Sequence, residues 1–106
     1  MVSFEEFKKI QIKVARIKEV KAHLQADKLY VLIIDVGDKE KQIVAGIKNF
    51  YSPEDLIGRN IVVIDNLEPV VIRGVESQGM LLAAQDSKGI SIITPDRDIP
   101  AGCLIK

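Results

Sequence analysis

The chain has no tryptophan, a single cysteine, a single histidine and no net charge. One cysteine, Cys103, cannot form an internal disulfide framework, so a reducing cytoplasmic compartment is the expected setting. One histidine (His23) and one cysteine provide neither a cluster of metal ligands nor a nucleophile–base pair. No glycine-rich loop of the phosphate-cradling kinds is present, and Asp35 is an isolated carboxylate near a strand end. These shortages point to a chain that is not an enzyme and carries no cofactor or metal. The longest apolar runs, "YVLII" at 30–34 and "IVVI" at 61–64, are far too short to span a bilayer, and the N-terminus has no signal-peptide pattern. Balanced counts of 15 basic and 15 acidic residues exclude an undirected polyanion binder but leave local patches open. One such patch is the first 28 residues, where Lys8, Lys9, Lys13, Arg16, Lys18, Lys21 and Lys28 outnumber the acids.

What is present is β-forming sequence. At 106 residues with 47% hydrophobic composition, residues 1–106 are expected to make one domain. Ser3 and Glu6 form a capping-box pair, predicting a short helix over roughly 4–9 with Phe4 and Phe7 on one face. Ile10, Ile12 and Val14 alternate with polar residues as in a half-buried strand, and the phase break that follows predicts a bulge near Ala15–Arg16. Residues 29–37 read as a central strand and 41–47 as its hairpin partner. Ser52-Pro53-Glu54-Asp55 starts a second helix, followed by strands at 61–65, 79–85, 89–95 and 103–105. Three strands, a short helix, then two strands is the order of an OB-fold, a five-stranded Greek-key barrel, here all-β with short helices and extra C-terminal strands. A generic small barrel or a split sandwich fits the same pattern.

An OB-fold binds on the face of strands two and three, between the loops after strands one and four. Those loops are 21–28 and 66–78, the most polar connections in the chain. In the second, "RGVESQG" places Arg73 just before Gly74, and Glu76, Ser77 and Gln78 between Gly74 and Gly79. Either these groups meet a ligand or they satisfy the backbone of a tight loop. Lys13, Arg16, Lys28, Lys48 and Arg73 are the candidate phosphate contacts. Arg73 can alternatively pair with Glu68 or Glu76, and Lys13 and Arg16 can be solvated strand residues. Tyr30 belongs to the core strand, and Phe50 and Tyr51 precede the second helix where a hydrophobic staple is usual, so base stacking is expected to be limited.

The strings "ADKLYVLIIDVG", "QIVAGI" and above all "NLEPVVIRGVESQGMLLAA" resemble the tRNA-binding domain family. Its members are C-terminal domains or β subunits of methionyl-tRNA synthetase, free-standing dimeric tRNA-binding proteins, tails of synthetase cofactors and a secretion-chaperone paralogue. The resemblance implies an OB-fold that binds tRNA with little sequence preference, assists a methionyl-tRNA synthetase chain and dimerises through its terminal segments. On this chain it implies a tRNA groove lined by Asn66, Arg73, Ser77, Gln78 and Met80, with Lys28 opposite. The chain departs from the pattern where relatives carry a basic "KPRKMRG" and it has "EPVVIRG", which points mildly to the alternative, a dimeric peptide-binding chaperone. Residues 86–106 add aliphatics beyond the expected barrel. A homodimer interface of Phe4, Phe7, Ile90, Ile92, Ile99 and Leu104 is expected on that ground.

Overall fold

The computed structural model describes residues 1–106. Ser3 Oγ accepts the Glu6 N–H at 3.1 Å and donates to Glu6 Oε1, which closes the capping box and starts α1 (Phe4–Phe7). The helix is shorter than the predicted 4–9, because Lys9 and Ile10 donate three residues back, to Glu6 and Phe7. Three strands follow as a meander: β1 (Ile12–Ala22), β2 (Tyr30–Asp35) and β3 (Glu40–Ala45). After α2 (Pro53–Leu56), β4 (Asn60–Ile64) returns along the first half of β1. Then come β5 (Val70–Ile72), β6 (Val75–Ser77), β7 (Met80–Leu81), β8 (Ala83–Asp86) and β9 (Gly89–Ile92).

The sheet order is β3-β2-β1-β4-β7, and β7 curls round to touch β3. This nearly closed antiparallel barrel is the OB-fold that the strand order predicted. Its core packs Ala15 and Ile17 of β1, alternate residues of β2, and Ile43, Ile61 and Val63 from the neighbouring strands. Pro53 opens α2 at the first helical position, and Leu56 reaches into the core with no exposure.

Several sequence expectations are corrected. The irregularity in β1 lies between Ile17 and Glu19, not at Ala15–Arg16. Ala15 and Ile17 face the core in phase, while Val14 and its partner Val62 are buried on the other face, so β1 is apolar on both sides and alternation misassigns its inward face. Residues 66–78, expected as a polar connection, contain the β5–β6 hairpin. The strand expected at 79–85 breaks into β7, which completes the barrel, and β8, which pairs with β9 outside it. The strand expected at 103–105 is reduced to a single bridge, Leu104 opposite Lys13, with backbone bonds linking residues 102–105 to Ile12 and Val14. Ile92 of β9 is buried in this chain's own core, with Ile90 packed against it, so Ile92 has no free surface for a partner.

One end of the barrel holds a charged group. Lys13 Nζ lies 2.9 Å from Asp65 Oδ2, and Lys41 Nζ lies 2.7 Å from both Oδ1 and the backbone carbonyl of Asp65. All three side chains are largely buried. The Oδ1 approach is an oblique ion contact without an aligned donor. Burial alone would push the Asp65 carboxyl up, but the close ammonium groups of Lys41 and Lys13 outweigh it and hold the group below its ordinary 3.8. The hydrogen bond to Asp65 raises Lys13 above 10.5 against its own desolvation. A lowered acid contributes stability above its unfolded pKa and loses it on acidification. A raised base contributes below its unfolded pKa and loses it in alkali. The cluster therefore stabilises between about pH 4 and about pH 10. Asp65→Asn should cost about 1–3 kcal/mol near neutrality, less than a fully enclosed pair because the lysine tips touch solvent. In urea unfolding that cost should be smaller well below about pH 4 than at neutrality, because acid protonates the wild-type carboxyl. An equal loss at both pH values would contradict this account.

Candidate nucleic-acid interface

Two neighbouring strand positions that point away from the core, Val31 of β2 and Gln42 of β3, help form the floor of a cleft of about 300 Å³. One wall is the end of β1 and the loop after it, from Lys21 to Gln25. The other is the β5–β6 turn, from Arg73 to Val75. These are the two loops that flank the binding face of an OB-fold.

The β5–β6 hairpin turns on two residues, Arg73 and Gly74, with Ile72 opposite Val75. Arg73 has φ +52° and Gly74 φ +89°, the left-handed pair of a type I′ turn. Glycine takes this conformation without penalty. Arginine is an unusual choice and costs about 1–2 kcal/mol there. Held in this way, Arg73 crosses the cleft and donates from Nη2 to Gln25 O at 3.3 Å. It has no carboxylate partner, so the expected alternative of a pair with Glu68 or Glu76 is not formed. His23 ties the same walls together. Its Nδ1 accepts the Gln25 N–H at 3.0 Å, which assigns the proton to Nε2, and Nε2 donates to Ile72 O at 3.1 Å. The cleft is thus bolted open by a buried histidine and rimmed by Arg73 and Lys21.

The other expected groove residues lie elsewhere or are already engaged. Ser77 is buried; its Oγ accepts the Val44 N–H and donates to Gly79 O, both at 3.0 Å. Gln78 Oε1 accepts the Gln42 N–H at 2.9 Å, and the Gln78 N–H donates to Gln42 O at 2.8 Å. Both residues close the barrel, and the buried Ser77 hydroxyl cannot reach a phosphate. Asn66 binds the N-terminal segment, accepting from Gln11 N–H and donating to Lys9 O. Lys13 is turned into the Asp65 cluster, and Arg16 pairs with Asp98 and Asn60. Lys28 and Lys48 come together, with the Lys48 N–H 3.4 Å from Lys28 O. Met80, about half exposed, lines an apolar hollow with Val44, Ala45 and Ile47. Sequence reasoning missed Lys21, Gln25 and Gln42 as lining residues. Lys21 and Gln25 sit in the loop that the OB reading had marked, but Gln42 carries no sequence signal.

A small barrel with a preformed, cation-rimmed cleft between these two loops defines a nucleic-acid-binding OB module. Within that class the chain belongs to the tRNA-binding domain family: the family model described as "Putative tRNA binding domain" matches residues 12–103. Over 105 residues it is 50% identical to a methionine–tRNA ligase of Thermococcus kodakarensis and 48% identical to that of Pyrococcus furiosus. Each alignment takes in 99% of this chain but only 14% of the ligase. Among solved structures, a MetRS-related protein from Pyrococcus horikoshii is 36% identical with a TM-score of 0.92, covering 100% of this chain and 98% of that one. The chaperone protein CsaA of Picrophilus torridus is 35% identical with a TM-score of 0.92, covering 100% of both chains.

Arg73 offers a test in which stability and binding move in opposite directions. Asparagine accepts left-handed backbone better than arginine, so Arg73→Asn should leave thermal stability unchanged or raise it by about 0.5–1 kcal/mol. The same variant should lose roughly tenfold or more in tRNA affinity through one charge-assisted contact. Filter binding and thermal unfolding on one sample check both halves. Retained affinity would remove Arg73 from the interface.

Proposed function

We propose that this chain is a non-catalytic module that holds tRNA for a methionyl-tRNA synthetase catalytic chain, with little discrimination among tRNA species. The observation that carries the reading is Arg73, kept in a strained turn where it overhangs a preformed cleft, inside a chain that belongs to the tRNA-binding domain family. The cations left free of carboxylates beside the cleft and the Met80 hollow are few: Arg73, Lys28 and Lys48, with Lys21 only loosely near Glu19 at 3.9 Å. Few phosphate contacts support modest affinity, read from backbone and shape rather than from base sequence.

The module acts as a symmetric homodimer. Phe4, Phe7, Ile10, Leu104 and Ile105 are exposed large apolar residues that line one hollow at the chain's two termini. A two-fold contact would bury the patch against its own copy. Pairing two clefts on one particle offsets the small number of cations through avidity. Ile99 is half-buried beside β4, where its carbonyl accepts from Asn60 at 3.2 Å, and adds little to this contact.

A second reading, capture of an unfolded polypeptide, is favoured by one feature. Leu24 stands exposed in the cleft wall, and Val70 and Val71 are exposed on an edge strand, β5. Bulk tRNA and a reduced, unfolded polypeptide should be compared over a salt series. The tRNA reading expects a log–log slope of about −2 to −5 for tRNA, from some three to five phosphates. It also expects a particle of about twice 11.8 kDa in sedimentation. Salt-insensitive binding, with preference for the polypeptide, would favour the second reading. A single-chain mass would end the dimer proposal.

A further inference from the structure

Beyond the OB cleft, the β8–β9 hairpin and the segment before α2 enclose a second cavity of about 420 Å³. Its notable residue is Phe50. The ring does not staple α2 as the sequence suggested. It is about half exposed and lies against Gly89, where a Cβ would come within 2.7 Å of Cε1. Gly89 has φ +146° and no side chain, so one face of the ring is supported by backbone while the rest opens to solvent. The neighbouring Tyr51 is different: its hydroxyl accepts the Ile92 N–H, its carbonyl accepts from Tyr30, and Arg59 lies over its ring. Tyr51 is held by the fold. Phe50 is presented by it.

The remaining walls are polar. Gln85 and Ser91 provide hydrogen-bonding groups, and Lys88 stands at the hairpin tip. Asp86 Oδ1 accepts from the Lys88 and Gly89 N–H groups at 2.9 and 3.1 Å, which fixes that tip. This cavity also joins the OB face. It shares Ile90 with the Met80 hollow, which contains Val44. Val44 is the next outward position on β3 after Gln42, in the floor of the OB cleft. The Phe50 cavity and the Met80 hollow thus meet at Ile90, and Val44 of that hollow lies two residues along β3 from Gln42.

We propose that Phe50 is a stacking platform for one unpaired base of the bound RNA, with Lys88 taking the adjoining phosphate and Gln85 and Ser91 meeting the base edge. An exposed ring backed by glycine, beside one cation and two neutral hydrogen-bonding side chains, suits a nucleotide of an unpaired strand. A base inside a duplex cannot reach such a ring without unstacking. The site rests on the tRNA reading and deepens it, since it demands a single-stranded segment in the ligand.

The absence of tryptophan permits a clean test. Phe50→Trp places the only indole of the protein in the cavity, and Phe7→Trp places one on the terminal patch as a control. Single-stranded oligoadenylate, bulk tRNA and a blunt RNA duplex are titrated against each, with affinity followed separately by filter binding. The proposal expects Phe50→Trp fluorescence to be quenched by tRNA and oligoadenylate but not by the duplex. It expects no comparable quenching of Phe7→Trp. Phe50→Leu should weaken oligoadenylate binding by about tenfold, with thermal unfolding confirming the fold. Intact tRNA binding without quenching, and with no loss in Phe50→Leu, would overturn the stacking site while leaving the tRNA reading standing. Failure of the wild-type chain to retain any RNA would overturn both.

Discussion

The structure depends on how the free edge of β3 is satisfied. The N–H groups of Gln42 and Val44 point away from β2 toward β6 and the residues after it, with which β3 forms no regular ladder. Two side-chain oxygens stand in for a strand: Gln78 Oε1 takes the Gln42 N–H and Ser77 Oγ takes the Val44 N–H. The Gln78 N–H and Gln42 O add a backbone bond, and Gln42 Nε2 returns a bond to Glu76 O at 2.8 Å. A buried amide left without a partner costs about 1–3 kcal/mol, so this substitute ladder is worth several ordinary contacts. Gly79 follows because space is short: a Cβ there would stand 3.0 Å from Ile64 O. The "SQG" triplet is therefore the closure of the barrel.

The cleft hangs from that closure. β6 is held beside β3 by the latch, and β5 is held by β6, so the Arg73–Gly74 turn projects over the β2–β3 face from a fixed base. His23 and Arg73 then attach the turn to the opposite loop. A wall anchored at three points can sustain a left-handed arginine, a conformation that a free loop would relax. Polar residues with short side chains maintain the frame, and longer cations on its rim remain free for a ligand. Asn66 is likewise spent on the N-terminal segment, whereas Lys13, a cation of β1 away from the rim, is spent on Asp65.

The barrel was legible in the sequence because its elements are local. The continuous β-forming run of β2, the proline-opened α2 and the capping box each speak through residues a few positions apart. β1 was misphased because a strand buried on both faces loses the alternation that reveals its inward side. The site was legible as a region, since the polar loops are where an OB-fold binds. It was less legible residue by residue. Ser77, Gln78 and Asn66 are chemically able to meet RNA, and only the three-dimensional neighbours, Val44, Gln42 and Gln11, determine that they meet backbone instead. The same limit hid the whole Lys13–Asp65–Lys41 cluster. It also hid the exposure of Phe50, which depends on Gly89 lying 39 positions away. In Ile92 the apolar character was read correctly and its destination was not, because a hairpin folding back on its own barrel and a dimer contact have the same composition.

The central claim is that the Ser77-Gln78-Gly79 segment is a latch first, and shapes the RNA cleft through that role. Amide hydrogen exchange at Gln42 and Val44, resolved by NMR in the wild-type chain and in Ser77→Ala, tests it most directly. The account predicts strong protection of both amides in the wild type. In the variant it predicts a selective loss of protection at Val44 and along β5–β6, while Leu32 and Ile61 in the core stay protected, together with weakened tRNA binding. Undiminished protection at Val44 with weakened tRNA binding would contradict it and would make Ser77 a direct contact.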